Sequence, residues 1–166
     1  MDFLLIAFLT LLNGVFAMSE LAIASSRKAR LAAMEESGDS GAGAAIRLMD
    51  RPTQFLSTVQ VGITSIGMLN GIVGEAAFSG PVAEWLEGFG MSTGAASIAA
   101  TALVVTVITF TTIIFGELVP KRIGQMFPET VARWIAQPMT WLATAAKPFV
   151  ALLSPGTQPA QTLRRI

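Results

Sequence analysis

AASIAATALVVTVITFTTIIF, residues 95–115, is a run of 21 residues without one charged side chain. At about 1.5 Å per residue, a helix of that length covers roughly the 30 Å hydrocarbon core of a bilayer. A helix is also the only single segment that keeps its own backbone N–H and C=O groups paired in lipid. The run therefore predicts a transmembrane helix, and the chain on either side reads the same way. Working outward, apolar segments also cover about Phe3–Ser26 and Phe55–Phe78. The 166 residues are 52% hydrophobic and 13% charged, about half the charged share of a soluble domain. Mean hydropathy is +0.62. Three spans are expected, over about 3–26, 55–78 and 95–115.

Charge position orients the spans. Arg27, Lys28, Arg30, Arg47 and Arg51 form one basic block, and Lys121, Arg122, Arg133, Lys147, Arg164 and Arg165 form another, with no Lys or Arg from 52 to 120. The turn SGPVAEWLEGFGMST, residues 79–93, carries only acidic charge. The positive-inside rule then places 27–54 and everything after 120 in the cytoplasm and the N-terminus outside, in a plasma (inner) membrane. A cleaved signal peptide is the alternative for residues 1–26; the acidic start MDFLL and the lack of a small-x-small site speak against it. A fourth apolar stretch, VARWIAQPMTWLATAAKPFVALL (131–153), holds Arg133, Gln137, Pro138, Lys147 and Pro148, with Trp134 and Trp141 seven residues apart. It reads as juxtamembrane amphipathic helices, within about 128–153, broken near Pro138 and Pro148 and lying on the cytoplasmic side. Residues 154–166 read as a linker towards cytoplasmic domains beyond this chain.

Neither cysteine nor histidine is present, which excludes disulfides, Cys/His zinc sites and Ser-His catalysis. An enzyme is not expected. Net charge is zero and no basic run with interleaved aromatics exists, so nucleic acid is not an expected partner.

Polar residues inside spans are costly in lipid and each is a site candidate. The first span reads NGVFAMSELAIASSRK (13–28), with Asn13 and Glu20 on one helical face and Ser25-Ser26 at the inner end. The second reads VQVGITSIGMLNGIVGE (59–75), where Gly62, Gly67, Gly71 and Gly74 surround Thr64, Ser65 and Asn70. Gly67 and Gly71 make a GxxxG pair, for which close helix packing is the alternative reading. Asn70 beside Gly71 suggests a helix break. After the third span comes FGELVPKRIG (115–124). Pro120 has no N–H, so the Gly116 carbonyl four residues earlier loses its helical partner beside the Glu117 carboxylate. Such oxygens suit a hard cation: Mg²⁺, Ca²⁺ or Na⁺. Two blander readings stand beside this one. Glu117 can pair with Lys121 at i+4, and Glu20 with a basic residue near the inner leaflet.

NGVFAMSELAIASSRKARL, LSTVQVGITSIGMLNGIVGE and FGELVPKRIG, in that order and over about 150 residues, resemble the transmembrane domain of the CorC and cyclin M (CNNM) family of magnesium transport proteins. The resemblance implies a homodimer with three transmembrane helices per subunit, a cytoplasmic belt of juxtamembrane helices, and Mg²⁺ export coupled to Na⁺ influx. In full-length relatives, cytoplasmic CBS domains follow. It maps the Mg²⁺ site onto Ser25, Asn70, the Gly116 carbonyl and Glu117. Ser26 is the alternative to Ser25, and Ser19, Glu20, Thr64 and Ser65 stand as further ligands or supports. The expected fold is thus an all-α membrane protein with helices broken around an ion site at Pro120, Gly67 and Gly71. One tension remains, because a helix from Thr53 to Asn70 climbs about 25 Å whereas Ser25 ends the first span. A second helix starting inside the cytoplasm or broken near Gly62–Gly71, and a first span unwound above its serines, would ease it. The competing function is a membrane scaffold with a structural cation site.

Overall fold

A computed structural model describes residues 1–153; the expected linker over 154–166 lies outside the described residues. The described residues form α1 (Asp2–Ser25), α2 (Lys28–Glu36), α3 (Ser40–Met49), α4 (Pro52–Glu87), α5 (Thr93–Ile113), a π-helical turn (Ile114–Leu118), α6 (Val119–Met126) and α7 (Pro128–Leu153). Among the described residues three helical stretches are long and apolar enough to cross a membrane: Asp2–Ser25, Pro52–Glu87 and Thr93–Met126. The last joins α5, the π turn and α6 into one rod.

At 36 residues, α4 extends over about 54 Å, well beyond the hydrocarbon core. It opens on Pro52 at its first position, where a missing N–H costs nothing. It also runs unbroken through Gly62, Gly67 and Gly71, so the expected break there is absent. In a bundle where a freed backbone group finds no water, the helix is the cheapest state even for glycine. Likewise α1 stays helical up to Ser25, with extended backbone only at Ser26, so no unwinding lies above the serines.

Residues 27–51 fold into two short helices that the sequence reading left undivided. Asp39 starts α3, its Oδ1 accepting from the N–H groups of Gly41 and Ala42 at 2.9 and 3.2 Å. Its Oδ2 meets Arg133 Nε at 3.2 Å, which ties α3 to α7. Along α7, Ala132, Ala136, Met139 and Ala143 are buried at helical spacing, while Trp134 and Trp141 stand 72% exposed on the other side. The amphipathic character is as read, but α7 is continuous through Pro138 and Pro148, contrary to the expected breaks. Both prolines are exposed, so the carbonyls they free face away from the packed seam.

Small residues let α6 lie directly on α1. A Cβ on Gly124 would sit 2.6 Å from the Met18 carbonyl oxygen and 3.2 Å from the Ala22 nitrogen, and one on Gly14 would sit 2.9 Å from Pro120 Cγ. Backbone cannot give way as a flexible side chain can. Gly124→Ala is therefore expected to destabilise the bundle by about 1–3 kcal/mol, read as a lower unfolding temperature in detergent. Gly80→Ala, with no atom within 4 Å of its added methyl, should show no such loss.

Candidate cation site

The π turn is where sequence and site meet. Without an N–H at Pro120, the Gly116 carbonyl cannot be taken up by the next helical turn, and Val119 N–H bonds five residues back to Ile114 instead. Asn13 Nδ2 takes the free carbonyl, donating to Gly116 O at 2.8 Å. Contact is close: a Cβ on Gly116 would lie 3.2 Å from both Asn13 Nδ2 and the Thr10 carbonyl oxygen. One turn above Asn13 on α1, Thr10 Oγ1 accepts from Asn70 Nδ2 at 2.9 Å, and the same amide donates to Thr112 Oγ1 at 3.0 Å. Thr10, Asn13, Asn70 and Gly116 are all buried. Three membrane-spanning helices thus meet in one polar knot.

That knot is oversupplied with acceptors. Asn13 Oδ1 and Asn70 Oδ1 are buried with no hydrogen-bond partner. A carbonyl dipole left unpaired in an apolar bundle costs about 1–3 kcal/mol, and a cation is the species that would relieve it. Among the described residues no three carboxylates gather in a metal-binding group, so such a site draws on amide, hydroxyl and backbone oxygens.

Glu117, the next residue, turns to a different neighbour. Lys121 Nζ lies 2.9 Å from Glu117 Oε1 and 3.7 Å from Glu20 Oε2. The i, i+4 pair anticipated for Glu117 is present, and Lys121 bridges it to α1. All three side chains are about one-third exposed. Glu20 also lines a cleft of about 210 Å³ formed by α1, α3 and α4. On the far side of the knot, Thr10 and Thr112 help line a larger, mostly apolar cleft of about 440 Å³ that continues past Phe3, Val107 and Phe78.

Of the four residues first assigned as ligands, the structure brings Asn70 and the Gly116 carbonyl into one cluster, through Thr10 and Asn13. Glu117 adjoins that cluster but points to Lys121. Ser25 is exposed at the foot of α1, about 23 Å along the helix from Thr10. Ser26 is buried and donates to Ala22 O at 2.6 Å; Ser19 is buried and donates to Phe16 O at 2.6 Å. Thr64 and Ser65 are exposed on α4. The distance along α4 explains this grouping: Asn70 stands about 27 Å above Pro52, level with the upper half of α1 and not with its serines. Thr10 and Thr112 were missed. Their signal was a hydroxyl one helical turn before a residue already suspected, Asn13 in one case and Gly116 in the other.

Outside the spans, Glu129 ties α7 to the foot of α1, its Oε1 accepting from Arg27 N–H at 3.1 Å. Burial pushes its carboxyl up, but that hydrogen bond and the nearby Arg30 guanidinium outweigh it and hold the group below the usual carboxylate range.

The Cyclin M transmembrane N-terminal domain family (CNNM) matches residues 4–158. A UPF0053 protein of Synechocystis is 41% identical over 149 residues, covering 90% of this chain and 33% of that protein. The polyamine export protein of Escherichia coli K12 is 35% identical over 147 residues, covering 89% of this chain and 33% of its own length. The UPF0053 protein YugS of Bacillus subtilis is 31% identical over 143 residues, 86% of this chain and 33% of that protein. The chain spans about a third of the length of these curated relatives.

Proposed function

The chain belongs to the CNNM family as a cyclin M transmembrane domain, and on that premise we propose that it carries cations across the membrane, with Mg²⁺ exported and Na⁺ moving inward as the coupling ion. One observation carries this reading. Two asparagine oxygens, Asn13 Oδ1 and Asn70 Oδ1, are buried and unpartnered where all three spans converge on the freed Gly116 carbonyl. A scaffold needs no such acceptors, since apolar packing would hold three helices without the desolvation cost. The clefts on either side of the knot suit a site reached in turn from each face. The carboxylates of Glu117 and Glu20 would meet the ion on the basic side, in exchange for Lys121. With the N-terminus outside, that basic side is cytoplasmic.

A polyamine cargo is the second reading. The larger cleft is almost wholly apolar with threonine hydroxyls at one end, which suits an alkyl chain carrying an ammonium, and relatives bear the name polyamine export protein. Flux in proteoliposomes separates the two. Mg²⁺ efflux that rises with an opposed Na⁺ gradient supports the first reading; movement of a radiolabelled linear diamine without Mg²⁺ flux supports the second; neither flux refutes both.

The active unit in this proposal is a homodimer joined through α4 and α5. Gly67 and Gly71 have no atom within 4 Å of an added methyl, and Met68, Leu69 and Ile72 around them are exposed. A small-residue groove flanked by apolar side chains is the pattern by which membrane helices pair. Cysteine at Met68 should crosslink in native membranes, and Gly71→Leu should abolish that crosslink. A crosslink unaffected by Gly71→Leu would place the interface elsewhere.

A further inference from the structure

We propose that the cleft between the end of α3, the start of α4 and α7 binds the phosphate headgroup of an anionic phospholipid. Arg47, Arg51 and Lys147 line this cleft of about 390 Å³, with Gln54, Thr140 and Thr144 as further polar groups. Elsewhere four of the belt's cations are matched, Lys28 with Asp50, Arg30 with Glu129, Lys121 with Glu117 and Glu20, and Arg133 with Asp39. Arg27 and Arg122 are unpaired among the described residues but do not line this cleft. Among the described residues, Arg47, Arg51 and Lys147 have no carboxylate within 4.0 Å. Asp50 also lines the cleft, but Lys28 Nζ holds it at 2.6 Å, so its charge is already neutralised. Three like charges around one concavity repel one another, and a phosphate is the group that would bring them together.

The position of the cleft identifies a lipid and not a soluble anion. Its inner wall is apolar, made of Leu48, Phe55 and Ala143. Immediately beyond, α4 enters its membrane-spanning run with Leu56 exposed. On α7, Trp141 adjoins the lining residue Thr140 and, like Trp134, stands 72% exposed, as indoles do at the headgroup level. A headgroup can sit on the cations while its acyl chains follow the exposed apolar side chains of α4. Basic pockets beside transmembrane helices commonly hold anionic headgroups in this way. The proposal is independent of what the central site carries.

The test uses the full chain in phosphatidylcholine nanodiscs with or without phosphatidylglycerol, reading lipid retained on delipidation by native mass spectrometry and the unfolding midpoint. The parent should retain phosphatidylglycerol in preference to phosphatidylcholine. Arg51→Gln and Lys147→Gln should each weaken that retention about fivefold, and the triple variant that adds Arg47→Gln should remove it. Arg122→Gln, a cation outside the cleft, should behave as the parent; the single variants keep the test open if the triple variant does not fold. Equal retention of the two lipids by the parent would overturn the proposal, as would an Arg122→Gln loss as large as that of Arg51→Gln. Inorganic phosphate raising the midpoint in pure phosphatidylcholine discs as much as phosphatidylglycerol does would show a soluble-anion site instead.

Discussion

Asn70→Ala is expected to cut Mg²⁺ flux in proteoliposomes about thirty- to a hundredfold, while leaving the protein folded and as stable as the parent to within about 1 kcal/mol. The two halves of this result have one physical origin. Asn70 is fully buried, and its Oδ1 has no partner, so the side chain contributes less to stability than its two hydrogen bonds suggest. Truncation frees the hydroxyls of Thr10 and Thr112, but each can rotate to bond a carbonyl of its own preceding turn. The unpaired oxygen disappears with the amide, which offsets part of the loss. A transported ion has no such substitute. It would lose a preset oxygen in a low-dielectric site, worth roughly 2–3 kcal/mol for a hydrogen-bond-strength contact to a charged group. The scaffold reading makes the opposite forecast, in which stability or dimerisation falls and no flux exists to lose. Parent-like transport by Asn70→Ala would remove the knot from the pathway.

The three spans were legible because the bilayer imposes a crude demand, some twenty residues without charge, and 95–115 meets it with no exception. The amphipathic character of α7 was legible for a similar reason, since two tryptophans at heptad spacing mark one face. Pro120 was also readable, because its missing N–H is a local fact with one consequence, the freed Gly116 carbonyl. What takes up that carbonyl was not. Asn13 lies 103 residues away, and no spacing along the chain says which helix will face it. The break expected at Gly67–Gly71 failed through a solvent error: propensities measured in water penalise glycine, whereas in a membrane bundle leaving the helix costs more than keeping it. Those expected at Pro138 and Pro148 failed for another reason, since both prolines lie on the exposed side of α7 and the packed seam of Ala132, Ala136, Met139 and Ala143 holds the helix through them. The serines at 25 and 26 drew notice as hydroxyls at a span's end, but the length of α4 puts Asn70 at the level of Thr10 instead. The division of 27–51 into α2 and α3 rests on Gly38, whose φ of 97° ends α2, and on the cap at Asp39, short signals within a segment read only for its charge.

Glu117→Gln and Lys121→Met are expected to move apparent Mg²⁺ affinity in opposite directions. Lys121 Nζ lies between two carboxylates, 2.9 Å from Glu117 and 3.7 Å from Glu20, so the place a divalent ion would take is held by a tethered monovalent one. For Mg²⁺ to bind there the ammonium must leave, and its attraction to both carboxylates opposes that step. At an effective dielectric of about 20, each contact is worth several kcal/mol in bare Coulomb energy, reduced by screening at these part-exposed positions to about 1 kcal/mol or less. Removing the competitor in Lys121→Met should therefore tighten Mg²⁺ binding about three- to tenfold. Turnover should fall, because an ion held without a returning competitor is released more slowly. Glu117→Gln keeps the size of the side chain, removes one charge, and should weaken binding about tenfold or more with a matching loss of flux. Combining the substitutions tests whether they share a site. If Lys121 acts by competing for Glu117, its effect shrinks once Glu117 is neutral, and the double variant departs from additivity. Additive effects would make the lysine a distant influence. Parent-like flux from Glu117→Gln would mean that the carboxylate serves only its pairing with Lys121, one turn further along the helix.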